Sequence, residues 1–133
     1  MRTYVCFKSA LEVEKYLLLK LNFKVLQTVA CFRCSCLPLN VEEGRHTGIA
    51  CSERFCKVCK SNKVEDEFHF LLECPAYDNI RSTYIARETF IHPNLCKFHR
   101  LLRSSDESTV HKLCTFIYKA FQLRKEILRN DNL

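Results

Sequence analysis

Cys56, Cys59, His69 and Cys74 constrain this chain more than any other feature of it. They stand in the spacing Cys-x2-Cys-x9-His-x4-Cys, inside a stretch, 51–74, that is polar, rich in cysteine and without a hydrophobic period. A stretch of that kind has no apolar core of its own, so something else has to hold it. Two cysteines with two residues between them can turn both sulfurs onto one ion, which gives half of a tetrahedral shell. His69 and Cys74 supply the second half, at a separation near that by which one helical turn presents two ligands to one point. Zinc is the ion this donor set implies, and four protein ligands make such a site structural, with no position left for water. The rival reading of Cys56-x2-Cys59 is a redox pair, which needs a βαβ context that the surrounding sequence does not show.

Local signals around the four residues agree with a metal loop. Asn62 suits a left-handed turn after Lys60-Ser61, and Glu65-Asp66-Glu67 suits a helix start. A short helix from Glu67 to Glu73 is therefore expected, although Phe68, Phe70 and Leu72 alternate as a strand would. Cys74 is placed at the N-terminal end of a helix opened by Pro75, where the helix dipole favours the thiolate. Cys51 stands close enough to compete as a ligand. Arg54, Lys57, Lys60 and Lys63 recur every three residues. With Arg45 they are candidates for contact with phosphate oxygens, the alternative being that they offset the thiolates and the acidic run.

The rest of the chain reads as helix. It has 133 residues, 47% of them apolar, with only 2 Gly and 3 Pro, which suits one compact α-rich unit. The expected parts are an N-terminal helical segment and loop over 1–50, the zinc knuckle over 51–75 inserted between helices, and C-terminal helices over 76–133 that pack back on the first ones. Helices are expected over Phe7–Leu21, from Phe23 to a point before Pro38, and from Pro75 to about Thr89. A short amphipathic turn or two should follow from Leu95 to Leu102, and the last helix should run from Glu107 to Arg129. That last helix carries a stripe of Val110, Leu113, Cys114, Ile117, Ala120, Phe121 and Leu128 behind the N-cap candidates Ser104-Ser105-Asp106. Leu37 to Glu43 alternates weakly, and a loop with Gly44 and Gly48 follows it.

Ten cysteines raise the question of compartment. The first thirty residues are studded with charge, so no signal peptide or membrane span fits there. An intracellular protein, nuclear or cytoplasmic and not secreted, is expected, with its cysteines reduced. Cys31, Cys34 and Cys36 lack a fourth ligand unless His46 folds back, and are read as buried free thiols. Cys6, Cys96 and Cys114 are read as plain thiols, and His46, His92, His99 and His111 receive no role. The net charge of +6 is concentrated at the two ends, around an acidic middle. Basic flanks suit a polyanionic partner, RNA or DNA, as well as an ordinary solvated surface.

Three runs, Asn40 to His46, Arg54 to Cys59 and Val64 to Tyr77, together with Phe116 to Phe121, resemble the C-terminal region of LINE-type, non-LTR retrotransposon reverse transcriptases. The resemblance covers about residues 23 to 128. It implies that Cys56, Cys59, His69 and Cys74 are zinc ligands, and that the module grips template RNA or target DNA beside a parent polymerase domain. The Tyr-x-Asp-Asp signature of the polymerase is missing, since no Asp-Asp pair occurs in the chain, and so is the endonuclease domain. The expectation is a far C-terminal fragment that begins at an internal methionine and is no enzyme. The second hypothesis is a zinc-stabilised structural or protein-interaction module without nucleic-acid binding.

Overall fold

The structure, a computed structural model, describes Tyr4, Lys8 and residues 12–133. It is a small, mainly α domain. Its helices are α1 (Phe23–Arg33), α2 (Asn40–His46), α3 (Asp78–Tyr84), α4 (Arg87–Phe90), α5 (Leu95–Leu102) and α6 (Glu107–Asp131). Among the described residues the only β pairing is an isolated antiparallel bridge between Phe55 and Val64.

The long helix α6 is the scaffold. Asp106 caps it, accepting from the Thr109 amide at 2.9 Å, as the Asp at that position requires. Val110, Leu113, Cys114, Ile117, Ala120 and Phe121 are buried along one stripe, while Leu128 is half-buried beyond it. Helices α1 and α3 pack against α6. At the centre lies Phe70, whose ring centroid is 5.1 Å from that of Tyr77, 6.0 Å from Phe32 and 6.2 Å from Phe116. The stretch that looked coreless thus supplies the middle of the core: Phe70, Leu71 and Leu72 are all buried. Their three contiguous side chains belong to one irregular turn, which hides their burial from any periodic pattern.

Several elements differ from the sequence reading. Much of the first half of the expected Phe7–Leu21 helix falls outside the described residues. The rest holds a single 3-10 turn, Lys15–Leu18, of which Tyr16 alone is buried. The apolar residues there are contiguous, so one turn can turn only part of them inward. Of the weakly alternating Leu37 to Glu43, Leu37 and Leu39 are buried about an exposed Pro38, but from Asn40 the chain is helical, and Gly44 lies inside that helix and not in a loop. Helix α2 starts at Asn40, because its first amides find acceptors in a distant segment: Asn40 N–H donates to Glu65 Oε1 at 2.6 Å and Val41 N–H to the Glu65 carbonyl at 3.0 Å. Gly44 is needed inside that helix, since a Cβ there would stand 2.6 Å from Arg54 Cγ.

The helix expected from Pro75 to Thr89 is broken. A 3-10 turn, Pro75–Tyr77, leads into α3, and Ile85 then adopts an extended conformation before α4. Leaving the helix there buries Ile85. The segments expected at Leu95–Leu102 and from Glu107 form α5 and α6. Among the described residues no helix is long and apolar enough to cross a membrane.

Candidate metal centre

Two local structures carry the four predicted ligands. The first is a hairpin. Around the Phe55 to Val64 bridge, Cys56 N–H donates to the Lys63 carbonyl at 2.7 Å and Glu65 N–H to the Arg54 carbonyl at 2.9 Å. The chain reverses through left-handed conformations at Lys60 (φ 54°) and Asn62 (φ 57°), the second being the residue whose side chain suggested it.

The second structure is a wide turn. Residues 67 and 68 are α-helical and His69–Glu73 form a π-helical turn, closed by Cys74 N–H on the His69 carbonyl at 2.7 Å. The expected short helix is therefore present in a wider form, and the alternating strand is not. In an α-helix, residues five apart point about 140° away from each other. A turn that closes on the fifth residue brings His69 and Cys74 to the same side. Asp66 Oδ1 accepts from the His69 amide at 2.8 Å and holds the turn's start.

The ligand atoms of Cys56, Cys59, His69 and Cys74 all lie within 4.8 Å of one another. Cys56 Sγ is 4.0 Å from Cys74 Sγ, and Cys59 Sγ is 3.4 Å from His69 Nε2. Ideal tetrahedral coordination at zinc's bond lengths would put two sulfurs about 3.8 Å apart and a sulfur and a nitrogen about 3.6 Å apart. These two pairs are within about 0.2 Å of that ideal, and a pair at the 4.8 Å limit would have to close by about 1 Å for the four residues to hold such an ion. Cys56, His69 and Cys74 are buried and Cys59 is half-buried.

Electrostatics among the side chains divides the four residues, with Cys56 favoured as thiolate and Cys74 and His69 favoured in their protonated forms. The neighbouring Cys74 thiol draws Cys56 down to about 3, against the opposing effect of burial, and His69 helps. Cys74 is pushed up by the same hydrogen bond from the other side and by burial, with only the Ala76 amide lowering it. The anticipated helix-end stabilisation of the Cys74 thiolate is thus outweighed, because Pro75–Tyr77 is a single turn and Cys56 lies closer. Burial disfavours a charged His69, yet hydrogen bonds to Cys56, Glu73 and Cys59 raise it to about 9. The proton that Cys56 gives up is thus held by His69, and an ion binding here would displace the protons of His69 and Cys74.

A supporting shell surrounds the ligands, and the sequence reading missed it. Glu73 Oε2 lies 3.2 Å from His69 Nδ1, leaving Nε2 to face the cluster. Glu65 is buried 3.6 Å from Cys56 Sγ and accepts both Arg124 Nη2 (2.7 Å) and Nε (3.0 Å) from α6. Arg81, also buried, donates to the carbonyls of Leu71 and Cys74, each at 2.9 Å, and so fixes the backbone of one ligand. Glu73 stands four residues after His69, which is a readable spacing. Arg124 falls on the buried stripe of α6, where a charge implies a partner, but nothing in the sequence names Glu65 as that partner.

The five candidate phosphate-binding residues are placed differently from one another. Arg54 lies across Gly44 and donates to the carbonyls of Ile49 (2.8 Å) and Val41 (2.9 Å), a structural task. Arg45 pairs with Glu42 at 2.5 Å, Lys57 with Glu43 at 3.3 Å, Lys60 with Asp131 at 3.4 Å and Lys63 with Glu73 at 3.8 Å, all four with largely exposed side chains. Phe55 is exposed, Phe68 packs edge-on against Phe98, and Tyr77 is buried.

The remaining thiols stand apart from the cluster. Cys51 is exposed on the 3-10 turn Cys51–Glu53 and is not among the grouped ligands. Cys34 and Cys36 are exposed and Cys31 is half-buried, contrary to the expectation that all three are buried, because Phe32, Arg33, Ser35 and Leu37 take the inward positions there. Cys96 is exposed, Cys114 is buried, and Cys6 lies outside the described residues. His46 pairs with Glu42 at 3.3 Å. Compared with known proteins, the chain matches no family model, no curated protein and no solved structure.

Proposed function

We propose that this chain is a zinc-binding module of the kind found at the C-terminus of LINE-type reverse transcriptases, and that it contacts RNA or DNA without polymerase or endonuclease chemistry of its own. The observation that carries the metal reading is the convergence of four ligand atoms within 4.8 Å, with Glu73 orienting the imidazole. Soft thiolates with one imidazole suit zinc, and a filled tetrahedral shell makes the ion a staple and not a reagent. Cys56, Cys59, His69 and Cys74 would hold it. When bound, it supplies cross-linking of the hairpin to the turn.

The nucleic-acid reading rests on charge. From Arg54 to Val64 the chain has four cations and no acid. Lys57, Lys60 and Lys63 of that hairpin, with Arg45 beside it, have largely exposed side chains, and the ion pairs of the three lysines contribute about 1 kcal/mol or less and give way to phosphate. Arg54 is left out of this set. The test is fluorescence anisotropy with single-stranded RNA and with duplex DNA over a salt series. Binding at low salt is expected, falling with a logarithmic slope of about −3 for four contacts to a single strand. It should be lost in a Lys57→Glu, Lys60→Glu double variant that keeps its zinc. No binding of either probe at low salt overturns this reading.

A second reading, a protein-interaction module, is favoured by one observation: Val13, Leu17, Leu18 and Phe23 are exposed, between 51% and 75%, within one short segment. Self-association that is independent of nucleic acid, and lost when Leu18 and Phe23 become Ser, would support it over the first.

A further inference from the structure

The end of α1 has a backbone geometry that brings two thiols together outside the metal cluster. Ser35 N–H donates to the Phe32 carbonyl at 3.1 Å and Cys36 N–H to the Cys31 carbonyl at 2.9 Å, while Ser35 is left-handed at φ 58°. These are the two hydrogen bonds and the left-handed residue of a Schellman motif. In that motif the second residue beyond the cap comes back to touch the side chain of the residue that accepts its amide. Here both of those residues are cysteine, Cys36 and Cys31. Cys36 is exposed and Cys31 half-buried, so one sulfur meets solvent and the other waits behind it. Burial and the adjoining Cys36 thiol push the Cys31 thiol up, as contact between the two sulfurs requires.

We propose that Cys31 and Cys36 form a reversible disulfide across the C-terminal end of α1 when the chain meets a peroxide, independently of the metal cluster. The Cys36 thiolate attacks one peroxide oxygen: an S–O bond forms, the O–O bond breaks, and the other oxygen leaves as water or alcohol after taking a proton. Cys31 then attacks the Cys36 sulfur. The S–S bond forms, the S–O bond breaks, and the released hydroxide takes the Cys31 proton and leaves as water. Two electrons pass from the two sulfurs to the peroxide, and a dithiol reductant reverses the change. Cys34, on the cap itself, is not required. The bond would fix the path that the chain takes from α1 to the buried Leu37 and Leu39, and on to Asn40, which hydrogen bonds Glu65 beside Cys56.

Trypsin separates the partners, because Arg33 lies between them: Cys31 falls in the peptide 25–33, and Cys34 and Cys36 in 34–45. The full chain, reduced and loaded with zinc, is treated with hydrogen peroxide, alkylated, run on a non-reducing gel and digested. The expected product is a monomer that yields peptides 25–33 and 34–45 joined and lighter by two hydrogens, parted by dithiothreitol. The linked product should persist in Cys34→Ser and vanish in Cys36→Ser, both exposed positions, with zinc content unchanged in either variant. A link that survives in Cys36→Ser, a link found only in dimers, or full alkylation of Cys31 and Cys36 after peroxide would each overturn the proposal.

Discussion

Cys56 and Cys59 come from a hairpin with one bridge, an exposed Phe55 and a surface of lysines, whereas His69 and Cys74 come from a turn whose Phe70, Leu71 and Leu72 are buried in the centre of the molecule. Both pairs of ligands serve one cluster, yet they are held by different forces. The turn is fixed by apolar burial, by Asp66 at its start and by Arg81 at its end. The hairpin is tied to the domain through Glu65, Arg54 and the ligands themselves. An ion in this cluster would therefore have two unequal tasks: half of its site is prebuilt by the helical core, and the other half would be ordered by the ion.

The largest effect should come from removing the metal. Structural zinc in small domains contributes about 10–16 kcal/mol of apparent binding free energy. Chelation is expected to strip hydrogen-exchange protection from the amides of Cys56 and Lys60, while those of Phe70, Cys74 and α6 stay protected for longer. Simultaneous loss in both halves would break the comparison. Three substitutions that compare the two halves come next. Phe70→Ala should destabilise the zinc-loaded chain by about 3–5 kcal/mol in urea titration. Phe55→Ala, on the exposed hairpin, should change it by about 0.5 kcal/mol or less. Arg124→Met leaves the Glu65 carboxylate buried without its ionic partner and should cost about 3–5 kcal/mol.

Smaller effects separate the metal shell from the fold. Glu73→Gln removes the carboxylate that orients His69, and is expected to weaken metal affinity about 10- to 100-fold in competition with a chromophoric chelator, leaving circular dichroism unchanged. At the bottom of the scale, Asp106→Ala removes the cap of α6 and should cost about 1 kcal/mol with no change in metal affinity. An equal loss of affinity there would mean that the cluster depends on α6 more closely than its geometry implies.

The same contrast explains what was legible in the sequence. The ligand set was readable because a metal needs few residues at short separations, and Cys56, Cys59, His69 and Cys74 meet together as their spacing implied. Helix α6 was readable from its cap and from the stripe Val110 to Phe121, since both signals are local. The burial of Phe70, Leu71 and Leu72 was not, because a π-helical turn presents contiguous side chains inward and defeats a search for period. Helix α2 was missed for a different reason: its first amides are satisfied by Glu65, twenty-five residues away, and Gly44 reads as a breaker until Arg54 is seen lying against it. Long-range pairs such as Glu65 with Arg124 leave only half a signal, a charge on an apolar stripe.

One ion is expected to close the cluster and order the hairpin. Metal analysis of the purified, reduced chain tests it most directly, with Cys59→Ser and His69→Ala measured beside the wild type. One zinc per wild-type chain is expected, absent from both variants, in which hydrogen-exchange protection disappears over 54–65 and persists in α6. A reduced wild-type chain that carries no zinc and does not take it up from solution, while keeping the hairpin protected, would show that no ion orders the hairpin.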